Sequence, residues 1–136
     1  MITNISFDLW LTLIRSHPQF KAKRAEMIAD TYNPKGYSAE QIDVLIRNMD
    51  KIFDRFNESS GKKISADKMY LKILCELCDN EDSLTLADGK KVEQAANDLF
   101  IEYTPQLLNQ NIPQILEYLK DNGRVLNLSS NTGFIE

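Results

Sequence analysis

Two short strand-like runs stand at opposite ends of this 136-residue chain, and nearly everything between them is patterned as helix. The first is Ile5-Ser6-Phe7, closed by Asp8; the second is Arg124-Val125-Leu126-Asn127-Leu128, which runs into Ser129-Ser130-Asn131-Thr132-Gly133. A buried parallel strand reads as a short apolar run, and an unpaired strand exposes a row of backbone donors and acceptors. Read as strands of one parallel sheet, the two ends of the polypeptide would lie side by side. The connection between them far exceeds the dozen or so residues that a parallel crossover requires. Something has been inserted.

The insert reads as four helices. The first spans about Pro18 to Tyr32, with Phe20, Ala25, Ile28 and Ala29 as its buried stripe, and stops before the turn tetrad Asn33-Pro34-Lys35-Gly36. Ser38 and Gln41 have capping-box spacing, followed by Ile42, Leu45, Ile46, Met49, Phe53 and Phe56 at three- and four-residue steps. That helix ends at Asn57-Glu58-Ser59-Ser60-Gly61. Ser65 can cap a third helix carrying Met69, Ile73, Leu74 and Leu77, ended by the acidic stretch Asp79 to Asp82. The fourth, about Ala87 to Tyr103, places Val92, Ala95, Ala96, Leu99 and Phe100 on one side, although Gly89 weakens the signal for its start. A further helix follows, with Asn111 as N-cap, Pro113 in its first turn and Asn122-Gly123 as its stop.

Sixteen Lys and Arg against twenty Asp and Glu give a net charge of -4 without a basic stripe, which argues against nucleic acid or an anionic membrane as partner. No apolar stretch approaches the roughly 18 residues needed to span a bilayer, so the expected address is cytoplasmic and the expected partner a small molecule. Cys75 and Cys78 form a Cys-x-x-Cys, but there is no second cysteine pair and the single histidine, His17, is remote in sequence. They are read as small apolar residues on the third helix, and stoichiometric zinc is expected to be absent. Arg15, His17, Lys21, Lys23 and Arg24 are read mainly as a solvated face, with Arg15 kept as a candidate to meet a substrate anion. Phe53, Phe56 and Phe100 are assigned to the core, and Tyr32 and Tyr37 to the surface.

Ligands of open α/β sheets collect outside the carboxyl ends of the strands, where the first run delivers a carboxylate, Asp8, and then a hydroxyl, Thr12. The strings Phe7-Asp8-Leu9-Trp10-Leu11-Thr12-Leu13 and Leu128-Ser129-Ser130-Asn131 resemble the first and second motifs of the haloacid dehalogenase-like hydrolase superfamily. The resemblance implies an α/β fold: a partial Rossmann-like parallel sheet core formed by residues 1–14 and 104–136, with the helical residues 15–103 as a cap inserted after the first strand. It also implies that Asp8 is a nucleophile, that Thr12 orients the following loop, and that Ser130 bonds a non-transferring substrate oxygen with Asn131 beside it. Ser129 rivals Ser130 by one position, because alternation places the two on opposite faces of a strand. In the phosphatases of the family, magnesium is held by the nucleophile and by a backbone carbonyl two residues on, which here belong to Asp8 and Trp10.

The family's first motif is usually Asp-x-Asp-x-Thr, and Trp10 replaces the second Asp. That Asp does general acid and base work typically worth about 10²- to 10⁴-fold, which an indole cannot do. Haloacid dehalogenases carry an aromatic residue there and expel halide, which needs no proton, so Trp10 joins the candidate substrate-contacting residues. Phosphatase-like and dehalogenase-like chemistry stand level. The family's Lys-bearing third motif and acidic fourth motif are missing, so the chain is expected to be an inactive fragment whose exposed sheet edges favour self-association. Two other readings stand beside this one: a non-catalytic binding module built on the same scaffold, and a plain helical domain in which both motifs are accidents.

Overall fold

Alternation governs the two terminal strands. In β1 (Asn4–Asp8), Ile5 and Phe7 are half-buried while Asn4, Ser6 and Asp8 are exposed, the period-two pattern of a strand with one covered face. The computed structural model describes residues 2–79 and 81–130. In it β1 pairs in parallel with β4 (Val125–Ser129), in the register Asn4 to Val125 through Asp8 to Ser129. The Arg124 guanidinium donates to the Ile2 carbonyl, and the Val125 N–H to that of Thr3 at 2.8 Å, tying the start of the pair. The two ends of the chain do meet, and the protein is a mixed α/β structure with five α-helices among the described residues.

A second pairing has no counterpart in the sequence pattern. β2 (Ile14–Arg15) runs antiparallel to β3 (Gln106–Leu107), matching Ile14 with Leu107 and Arg15 with Gln106, and the Leu108 N–H continues the ladder to the Leu13 carbonyl. Two-residue strands are too short to carry a periodicity, which is why neither is visible as a run.

The chain divides into two compact units, Met1–His17 with Thr104–Glu136, and Pro18–Tyr103. The first holds both sheets and α5 (Ile112–Asp121), which packs against β4. Pro113 lies in the first turn of α5 as expected, but Asn111 makes no side-chain cap; its own N–H donates to Asn109 Oδ1 instead. Gly123, at φ +70°, closes the helix by donating to the Lys120 carbonyl. Among the described residues of this unit, only Leu13 and Ile112 are buried apolar side chains.

The second unit is four helices: α1 (Phe20–Thr31), α2 (Ala39–Ser60), α3 (Ala66–Leu77) and α4 (Leu86–Glu102), with a 3₁₀ turn at Glu81–Ser83. α1 stops where Pro34 forbids continuation, and Asn33 holds the turn with both ends of its amide, accepting from the Tyr37 N–H and donating to the Tyr37 carbonyl. Ser38 and Gln41 form the reciprocal capping box of α2, and Gly61 ends that helix at φ +63°. Ser65 stands at the N-cap of α3, yet its hydroxyl donates to the Asp67 carboxylate rather than accepting from the backbone. The core comprises Phe20, Ala25 and Ile28 from α1, Ile42, Ile46 and Met49 from α2, Met69, Tyr70, Ile73, Leu74 and Leu77 from α3, and Val92 and Ala96 from α4.

Two expectations are corrected here, and a third point is settled. Arg24 does not join a solvated face: it is 1 % exposed, its guanidinium stacks 5.4 Å from the Phe20 ring centroid, and it hydrogen-bonds Tyr70. One turn of α1 simply rotates that side chain inward beside Phe20 and Ile28. Phe56 is 46 % exposed, because α2 continues past the last turn of its buried stripe at Met49. Gly89, which weakened the signal for α4, is buried inside it, where α4 approaches α3 too closely for any side chain. Cys75 lies in the last turn of α3 and Cys78 just beyond it, both half-buried free thiols.

Candidate functional site

β1 and β4 end level with each other, so Asp8 and Ser129, the last residue of each strand, are register partners. Partners in a parallel pair point to the same face, and adjacent strands lie about 4.8 Å apart. One face therefore carries Asn4, Ser6 and Asp8 beside Val125, Asn127 and Ser129, all exposed; the other carries Ile5 and Phe7 beside Leu126 and Leu128. Asp8 and Ser129 end a row that is polar apart from Val125.

The loop after Asp8 is compact. The Leu9 carbonyl accepts from the N–H groups of Leu13 at 3.0 Å and Ile14 at 3.1 Å, while the Leu11 N–H donates to the Ile14 carbonyl at 2.8 Å. Folded this way, Thr12 returns to Asp8 and its hydroxyl donates to Asp8 Oδ2 at 3.2 Å. That bond ties one carboxylate oxygen to the loop. The turn requires Leu11 to adopt φ +57°, in the left-handed region that costs a residue with a Cβ about 1–2 kcal/mol. Strain of this kind gathers at functional sites. Nothing in the sequence signals it, since leucine at such a position is chosen by the turn and not by its own preference.

Trp10 is half-buried within the same loop and forms an isolated bridge with Ile14. Ser130 follows β4 directly and is exposed, while Asn131 lies outside the described residues. Arg15 is exposed in β2, in the same unit as Asp8. Asp8, Thr12 and Ser129 are thus brought together by register and turn. Ser6 and Asn127, which share their face, were not singled out from sequence; period-two alternation marks them only once the register is known.

Asp8 would offer a divalent cation one carboxylate. Among the described residues no group of three His, Cys, Asp or Glu side chains converges to hold a metal ion. A magnesium ion takes one or two carboxylates and keeps several waters, so Asp8 with the Trp10 carbonyl would form only part of a ligand set. Among the described residues, no helix is long and apolar enough to cross a membrane.

Comparison with known proteins adds no relative: no family model matches the chain, and no curated protein or solved structure matches it significantly.

Proposed function

We propose that this chain belongs to a haloacid dehalogenase-like hydrolase, with β1 and β4 as part of a Rossmann-like core and the four-helix unit as its inserted cap. The observation that carries this reading is the parallel register that sets Asp8 level with Ser129 at the carboxyl ends of two strands drawn from opposite ends of the sequence. A plain helical domain has no reason to bring those two strings together.

In this reading an Asp8 carboxylate oxygen attacks phosphorus or carbon, the leaving group departs with the bonding electron pair, and water cleaves the resulting ester to regenerate the carboxylate. A carboxylate needs no base to become a nucleophile. Thr12 holds Oδ2 and sets the direction of attack. Trp10 stands where a second acid would protonate the leaving group, so the substrate is one whose leaving group departs unprotonated, such as a halide or a stabilised aryl oxide. A magnesium ion, when bound, would neutralise charge on a phosphoryl oxygen.

Steady-state hydrolysis of p-nitrophenyl phosphate and of 2-chloropropionate, measured for the full-length protein that carries this chain and for its Asp8→Asn variant, tests the reading. Turnover of either that is lost in Asp8→Asn is the expected result. Turnover of neither overturns the hydrolase and favours the binding module, whose partner affinity Asp8→Asn would leave intact.

A further inference from the structure

We infer that Asn122 is a covalent modification site, an asparagine that converts to aspartate or isoaspartate through its bond to Gly123, and that the folded end of α5 holds this chemistry in check. Of the asparagines in the sequence, Asn122 alone is followed by glycine. A glycine has no side chain to keep its backbone nitrogen away from a neighbouring carbonyl carbon. Hydroxide removes the Gly123 amide proton, the nitrogen attacks the Asn122 side-chain carbonyl carbon Cγ, and the bond to Nδ2 breaks as ammonia leaves with a proton from water. Water then opens the cyclic imide at either of its two carbonyls. One opening yields aspartate and the other isoaspartate, whose main chain is longer by one carbon.

Asn122 is exposed, so water and hydroxide reach it. The folded geometry opposes ring closure. At ψ 22° the Gly123 nitrogen nearly eclipses the nitrogen of Asn122 itself, and so is turned away from the side chain that it must attack. Four hydrogen bonds keep it there: the Gly123 N–H donates to the Lys120 carbonyl at 3.0 Å, the Arg124 N–H to that of Leu119 at 3.1 Å, and the Asn122 N–H and Nδ2 both to that of Tyr118, at 3.1 and 2.8 Å. The first two are the pair that closes a helix in a Schellman motif, with Gly123 at its left-handed position, φ +70°. Attack requires rotation about the Asn122 Cα–C bond, which swings the Gly123 N–H off its acceptor and breaks the motif. The reaction therefore runs through opened copies of the helix end, in proportion to how often that end opens.

The product recloses poorly. An aspartate has no Nδ2 to donate to the Tyr118 carbonyl, and it sets a negative charge at the negative end of the α5 dipole. Beyond Gly123 the chain enters β4, whose Val125 partners Asn4 and donates to the Thr3 carbonyl, so loss of the helix end loosens the start of the β1–β4 pair. One slow, irreversible step at the end of α5 thus weakens the pairing that carries the face of Asp8.

Incubation of the full chain at mildly alkaline pH, folded and in guanidinium chloride, tests the site, with peptide mapping reading the change of amide to acid and the isoaspartate at Asn122. In the unfolded chain Asn122 should convert ahead of every other asparagine, and in the folded protein it should convert about ten-fold or more slowly than that. Gly123→Ala should slow conversion of the unfolded chain, because its Cβ obstructs the approach of the nitrogen. Equal rates in the folded and unfolded states overturn the check exerted by the helix end. An unfolded chain in which Asn122 converts no faster than the other asparagines overturns the site itself. Hydrogen exchange of Asn122→Asp reads the consequence: the Gly123, Arg124 and Val125 N–H groups should exchange about three-fold or more faster than in the wild type. Exchange at the wild-type rate overturns the loosening of β4.

Discussion

A Cβ on Gly89 would lie 2.1 Å from the carbonyl oxygen of Asp67, so α4 rests directly on the backbone of α3 at its first turn. Asp67 and Gly89 thereby set the separation of the two helices. In an ordinary helix interior, replacing glycine by alanine gains about 1 kcal/mol.

Gly89→Ala should reverse that sign. The obstacle is backbone and not the tip of a flexible side chain, so the helices must part and Val92 and Ala96 lose their packing. We expect a net loss of about 2 kcal/mol or more in urea denaturation. A stabilised variant would show that α3 and α4 are not in such close approach.

Arg24 carries a charge inside the helical unit, and how it is removed should matter more than that it is removed. Arg24→Ala leaves a cavity beneath Phe20 and strips Tyr70 of its partner, for an expected loss of about 3 kcal/mol or more. Arg24→Met keeps the stem volume and should cost clearly less. Burial pushes the Tyr70 phenol above its ordinary 10.0, while Arg24 pulls it down. Ultraviolet titration of Arg24→Met should accordingly find Tyr70 ionising at still higher pH than in the wild type.

Asp88 predicts an acid-dependent component of stability. Hydrogen bonding to Lys91, and then to the Thr85 hydroxyl and N–H, holds its carboxyl at about 2 against an ordinary 3.8. A depressed folded-state value means that the contribution is complete above the ordinary one and is lost as pH falls toward about 2. Asp88→Asn should be less stable than wild type at pH 6, and most of that difference should be gone near pH 2, where half of the native carboxyl is protonated. Carboxyl-carbon NMR titration reads the same shift directly.

Leu11 offers a test of the strained turn beside Asp8. An exposed leucine replaced by glycine ordinarily loses stability through the entropy of the unfolded chain, but at φ +57° glycine also relieves strain. Leu11→Gly should therefore be neutral within about 0.5 kcal/mol. Leu11→Val, branched at Cβ, should lose about 1 kcal/mol or more and loosen the Thr12 contact to Asp8. Thermal melts of the two variants check the order.

What the amino-acid order determined by itself is whatever a few neighbouring residues decide. Ser38 with Gln41, Asn33 with Pro34, and Asn122 with Gly123 start and stop helices through bonds no longer than one turn, so their positions were legible. The two apolar runs were legible as strands for the same reason, since alternation is local. Tertiary structure decided the rest. Ser129 is set opposite Asp8, Gly89 is pressed on Asp67, and Arg24 is buried with Phe20 and Tyr70, each by residues elsewhere in its own unit. The Ile14–Arg15 pairing with Gln106–Leu107 belongs with them, because a two-residue strand exists only through the partner that supplies its hydrogen bonds.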